Sequence, residues 1–220
     1  MNSPATSMGR PGTFGPVVKA LLLANVAIFA AQALGWDAVL TRLFALWPAY
    51  TPEVARYGGV LVAVPQFELW QVLTYGFLHG GMTHIFFNMF AIWMFGSQIE
   101  LAWGSRRFAT YYFVSVIGAG IVQLIVVTFF STAITPTVGA SGGVFGILLA
   151  YGMMFPNRTI MLLIPPIPIK AKWFVLIYGG IELVLGVTGT ANGVAHFAHL
   201  GGMLFGFLLL MYWSMRFRGQ

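Results

Sequence analysis

Cysteine is absent from this 220-residue chain, and charge is scarce: 11 Lys and Arg stand against 5 Asp and Glu, 7% of all residues. Without cysteine there is no disulfide framework, no thiol nucleophile and no Cys-based metal site. A water-soluble surface needs roughly 25–35% charged residues, so a soluble globular protein is excluded. The net charge of +6 does not point to nucleic acid, because the basic residues are sparse and stand between apolar runs instead of forming a basic face. No internal repeat is present, which argues against a transporter built from repeated halves. What the chain does have is 59% hydrophobic residues arranged in long runs. That composition belongs to an integral membrane protein, with room for at most about eight crossings of ~20 residues each.

Residues 1–16, rich in Ser, Pro and Gly, read as a flexible tail, and residues 17–217 as one membrane domain. The first apolar run is Val17 to Leu34. Lys19 and Ala31-Gln32-Ala33 imitate parts of a secretory signal, but the apolar core exceeds the usual ~7–15 residues, so a retained first span is expected. Gly35 to Leu69 contains Asp37, Arg42, Glu53, Arg56 and Glu68 among prolines and aromatics. Charge argues against a span there, and the aromatics suit a headgroup interface, so the segment is expected to be a long ordered loop lying partly in the bilayer surface. A second span is expected near Gly81–Trp103 and a third near Phe108–Phe130. The fourth, Ser141–Phe155, is short for a crossing and is expected to begin inside the membrane. After a loop at Pro156–Lys172, a fifth span covers Trp173–Val187 and a sixth Gly193–Met215. Cytoplasmic loops collect Lys and Arg. Six spans with both termini cytoplasmic put Arg10, Lys19, Arg106, Arg107, Arg158, Lys170, Lys172, Arg216 and Arg218 on one side and leave only Arg42 and Arg56 on the other. The expected fold class is all-α, a polytopic membrane protein of six helices with a long first loop at the interface.

Polar groups inside a bilayer are costly and are functional candidates by default. They are His79, His84, Asn88, Ser141, Glu182, His196 and His199. Glu100, near Arg106 and Arg107, is expected to make an interfacial ion pair. His84 and Asn88 are four apart and share one helical face, where both can donate hydrogen bonds in one direction. His79 reads as a loop anchor. Ser141 sits in Gly139-Ala140-Ser141-Gly142-Gly143, at a helix start whose backbone N–H groups have no helical partner. A lone G-x-S-G is weak and would more often be a packing serine. The C-terminal run changes that reading. His199, Gly202 and Gly206 share one helical face, and Gly142 and Gly146 form a second small-residue pair, the pattern that lets membrane helices pack closely. If those faces meet, Ser141 and His199 lie at similar depth, and a serine beside a neutral imidazole is an activated nucleophile. His84 and Asn88, with the Ser141 N–H, can then hold an oxyanion. His196 reads as an interfacial or supporting histidine. Glu182 can orient His199 as a third member, with a hydrogen-bonded packing role as the preferred reading.

These motifs are FLHGGMTHIFFN with His79, His84 and Asn88, the G-x-S-G from Gly139 to Gly142, and AHLGGMLFG with His199, Gly202 and Gly206. In this order they resemble the rhomboid family of intramembrane serine proteases, of the bacterial, six-span type. The resemblance implies a rhomboid-like six-helix bundle in a bacterial inner (plasma) membrane and a Ser–His dyad without an acidic third member. It makes Ser141 the nucleophile and His199 the general base, matches His84 and Asn88 to the oxyanion positions, and matches His79 to a structural histidine. It implies no cofactor and no metal, and as partners the lipid bilayer and transmembrane protein substrates cut near their membrane entry. Trp70-Gln71 stands where many members have Trp-Arg, and Phe145 where some have Tyr; the aromatic face that can pack on His199 is kept. Two rivals are a metal-dependent membrane enzyme or carrier, which has no H-E-x-x-H here, and a non-catalytic binder of membrane helices on the same fold.

Overall fold

The computed structural model describes residues 15–57, 59–131, 134–162, 165–189 and 195–218; most of the expected tail, with Arg10, and the expected sixth-span start at Gly193 lie outside them. In hydrocarbon every backbone polar group must be satisfied within the segment, and each apolar run accordingly folds as a helix. The first span is Pro16–Ala31, the second Met82–Trp103, the third Ser105–Phe129, the fifth Ala171–Thr188 and the sixth His196–Arg218. Taking the first helix on through its continuation to Phe44, these five are long and apolar enough to cross a membrane. The fourth, Ser141–Met154, has 14 residues, about 21 Å at 1.5 Å per residue, against a hydrocarbon core of about 30 Å. It spans only part of that thickness, as its sequence suggested. The protein is a polytopic, all-α membrane protein.

The loop expected after the first span is more structured than its charges suggested. The chain turns at Gly35, whose φ of 102° breaks the helical path, and resumes as a helix at Asp37–Phe44. Asp37 in the first turn and Arg42 in the last suit the helix dipole, so charge here marks a short helix. An antiparallel hairpin follows, Val54–Tyr57 against Val60–Ala63, with Val54 opposite Ala63. A short helix, Gln71–Thr74, leads toward the second span. The loop at Pro156–Lys172 carries a second hairpin, Thr159–Met161 against Pro168–Lys170. In both cases neighbouring strands satisfy backbone groups that no helix covers.

Third, fourth and sixth spans form the centre. A side chain at Gly202 would collide with the backbone of Gly142, so the fourth and sixth helices meet backbone to backbone. The expected meeting of two glycine faces is correct at that pair and needs correction one turn on. Gly206 faces Tyr111 and Ser115 of the third span, and Gly146 faces Ser115 as well as the Gly202 carbonyl. The tyrosine and serine supply the bulk that fills the three-helix junction, and the Tyr111 hydroxyl donates to the Gly146 carbonyl at 2.8 Å.

Glu100 also differs from expectation. Its carboxylate accepts the backbone N–H groups of Val17 (3.0 Å) and Val18 (2.8 Å) and the Ser105 hydroxyl (2.7 Å). The orphan donors at the start of the first helix are thus capped by the second span, and Gly15 leaves the space that carboxylate fills. The guanidinium of Arg107 lies over the Trp213 ring at 4.3 Å.

Candidate active site

The fourth helix begins at Ser141, and the segment before it is anchored on both sides. Leu46 and Thr137 exchange backbone hydrogen bonds at 3.0 and 2.9 Å, and the Gly139 N–H donates to the Tyr75 carbonyl at 2.9 Å. The Tyr75 hydroxyl in turn donates to the Val116 carbonyl at 2.8 Å. Gly139 has a φ of +129°, a conformation that favours glycine. A Cβ there would lie 2.7 Å from His84 Nε2 and 3.6 Å from Ser141 Oγ. The glycine therefore keeps open the space between the imidazole and the hydroxyl.

His199 stands 2.8 Å from Ser141 Oγ through Nε2. Its ring is stacked on Phe145, with centroids 4.2 Å apart and planes within 6°. That contact fixes the ring plane, so the aromatic face at position 145 performs the packing its sequence position suggested. The Phe145 ring stacks in turn on Tyr178, centroids 5.5 Å apart. Asn88 follows His84 by one turn, is buried, and its side-chain N–H group has no acceptor among the described residues. A buried amide donor without a partner costs free energy and is available to a ligand.

The other nitrogen of His199 meets the fifth span. Nδ1 lies 2.8 Å from Glu182 Oε2, and His196 Nδ1 lies 2.6 Å from the same oxygen. Glu182, His196 and His199 form a group, among the described residues, able to hold a metal ion, their ligand atoms lying within 4.8 Å of one another. Here both Nδ1 atoms are engaged at hydrogen-bond distance with the carboxylate, an arrangement that chelation would have to break.

His79 stands apart from the hydroxyl and packs edge-on to His84 (5.1 Å) and Phe29 (6.4 Å). Its backbone is clamped by Gln32, whose side-chain carbonyl accepts the His79 N–H at 3.0 Å and whose amide donates to the His79 carbonyl at 3.2 Å. Burial, with His84 nearby, lowers the His79 pKa to about 4, so the ring is neutral at ordinary pH. Sequence reading passed over Gln32, which looked like part of a cleavage signal; an isolated amide at the end of an apolar run was its only mark. Gln71 is likewise structural: it accepts the Trp47 N–H at 3.2 Å and is 1% exposed, tying the first loop together.

A hydroxyl and an imidazole joined inside a bundle of apolar helices define a polytopic membrane protein with a candidate hydrolytic centre in its interior. The family model of the rhomboid domain matches residues 66–216, and the chain belongs to the rhomboid family. It is 30% identical over 191 residues to the putative rhomboid protease YdcA of Bacillus subtilis, covering 82% of this chain and 85% of that one. It is 34% identical over 146 residues to rhomboid protease GluP of the same organism, covering 66% of this chain and 26% of GluP. It is 30% identical over 139 residues to the mitochondrial Rhomboid protein 1 of Saccharomyces cerevisiae, covering 63% of this chain and 40% of the yeast protein. The chain thus spans less than half the length of several curated relatives that it matches.

Proposed function

We propose that this protein is an intramembrane serine endopeptidase that cuts transmembrane segments of other membrane proteins. The observation that carries the reading is the 2.8 Å approach of Ser141 Oγ to His199 Nε2 across 58 positions of sequence. In the proposed reaction Oγ attacks the scissile carbonyl carbon while its proton passes to Nε2. The tetrahedral oxyanion is held by the Ser141 N–H, His84 and the unspent amide of Asn88. Collapse breaks the C–N bond, His199 returns the proton to the leaving amine, and an acyl ester remains on Ser141. Water, deprotonated by His199, then releases the acid and regenerates the hydroxyl. Gly139, Gly142, Gly202 and Gly206 hold the helices at this spacing, Phe145 orients the ring, and His79 supports His84.

Peptide hydrolysis needs water, so the site opens to one face of the bilayer. The partial depth of the fourth helix supports a site sunk beneath that face. Basic residues at the opposite ends of the spans favour a cytoplasmic location for both termini, in a bacterial inner membrane. The first loop and the fifth span form the walls, and the fifth span is the proposed lateral gate.

Detergent-purified protein treated with a fluorophosphonate probe and mapped by peptide analysis tests the reading. Modification at Ser141, lost in Ser141→Ala and in His199→Ala, is expected, together with loss of cleavage of a transmembrane substrate. Folded wild-type protein that takes no label, or Ser141→Ala protein that still cleaves, overturns it in favour of a non-catalytic helix binder.

A further inference from the structure

We propose that Glu182 is a positioning residue that makes the proposed catalytic pair a triad, with His196 holding its carboxylate in place. This rests on the reading of Ser141 and His199 above and departs from the two-residue centre that the family resemblance implies.

The two nitrogens of His199 face different partners. Nε2 meets Ser141 Oγ and Nδ1 meets Glu182 Oε2, each at 2.8 Å. An ionised carboxylate only accepts hydrogen bonds, so the proton of the neutral ring sits on Nδ1. The lone pair then lies on Nε2, facing the serine hydroxyl, which is the tautomer a general base requires. When Nε2 takes the serine proton, the Nδ1–H remains bonded to Glu182 and the imidazolium stands beside a carboxylate. No proton moves to the carboxylate.

Glu182 is not placed by accident of a polar environment. It belongs to the fifth span, and its sequence neighbours Ile181 and Leu183 are 47% and 51% exposed on the apolar outer surface. Glu182 itself is buried. A carboxylate at this depth is costly, and two imidazole N–H groups converge on one of its oxygens. His196 precedes His199 by one helical turn, so both reach Oε2 from one face of the sixth span. The His196 bond fixes the oxygen that His199 uses. Because Glu182 rides on the fifth span, the Nδ1 side of His199 is held only while that helix is docked on the sixth, whereas the Phe145 stack on the fourth span sets the ring plane.

Two measurements decide this. In histidine-labelled Ser141→Ala protein, nitrogen NMR is expected to find His199 in the Nδ1–H form, and the Nε2–H form overturns the proposal. In otherwise wild-type protein, Glu182→Gln is expected to slow fluorophosphonate labelling of Ser141 by about 100-fold or more, below the ~10⁴-fold of a buried triad acid in a soluble protease. It should lower kcat with little change in KM. Glu182→Asp, which keeps the carboxylate, should recover part of that loss, and His196→Phe should slow labelling by less than Glu182→Gln. If Glu182 merely stitches two helices together, Glu182→Gln and His196→Phe will both lower the melting temperature while the folded protein labels at the wild-type rate, which overturns the assignment. Wild-type protein that takes no label overturns the protease reading instead, and the NMR tautomer still decides whether Glu182 orients His199.

Discussion

The third, fourth and sixth spans on one hand and the fifth on the other use glycine differently. In the first group glycine is a point of contact: a Cβ on Gly202 would strike the Gly142 backbone, and one on Gly143 would come 2.5 Å from Tyr112. In the fifth span a Cβ on Gly180 would meet nothing within 4 Å among the described residues, and those on Gly179 and Gly186 would meet side chains only, the flexible end of Met203 at 3.1 Å and His196 Cβ with the Phe197 ring at 3.2 Å. Burial follows the same division, 39% of the apolar window of the third span against 17% in the fifth. Close backbone approach gives dense dispersion contact that lipid cannot replace. The fifth span lacks it and is joined to the rest through side chains, notably Glu182 with His196 and His199. The lesson is one of division: Ser141 and His199 stand on helices locked together by their backbones, while the carboxylate that touches His199 stands on the helix with the weakest hold.

The largest effect should come from Gly202→Ala. The new methyl meets backbone, which cannot rotate away, so a loss of about 3 kcal/mol or more is expected, read as a fall in melting temperature in detergent. A variant as stable as wild type would mean that the fourth and sixth helices are not held by backbone contact. Acid should have an intermediate effect, at the joint between the first span and the segment leading into the second. His79 is held neutral when folded, its pKa lowered from 6.5 to about 4 by burial first and by His84 second. Below about pH 6.5 the unfolded chain binds a proton that the folded chain refuses, so stability is full above that pH and falls as pH drops toward 4. Melting curves across this range should show that slope, and His79→Phe should flatten it. The smallest effect should come from Leu176→Ala on the outer face of the fifth span. Leu176 is 63% exposed, and a change within about 0.5 kcal/mol is expected. A loss as large as that of Gly202→Ala would mean that the fifth span is packed as tightly as the others.

Much of this protein was legible as a string. Six apolar runs became six helices because hydrocarbon offers backbone groups no other partner. The shortness of the fourth and the spacing of His84 with Asn88 survive intact, since helical periodicity alone sets them. The first loop was legible only in part: its charges and aromatics point to an ordered loop at the bilayer surface, but not to the short helix that has Asp37 in its first turn and Arg42 in its last. Glu100 was misassigned for a related reason. Arg106 and Arg107 are its neighbours in sequence, but the N–H groups of Val17 and Val18, more than 80 positions away, are what its carboxylate reaches.

Hydropathy along the chain was enough for the number, order and approximate ends of the spans, and it marked Ser141, His199, His84 and Asn88 as polar groups that a bilayer would not tolerate without a use. Tertiary structure alone decided which of those groups meet. Gln32 with His79, Glu100 with the first helix, and Glu182 with both histidines are contacts between helices, fixed by the rotation and depth at which neighbours pack. Periodicity reports which face of one helix is polar; it carries no information about the face opposite. That is settled only where small residues let two backbones close.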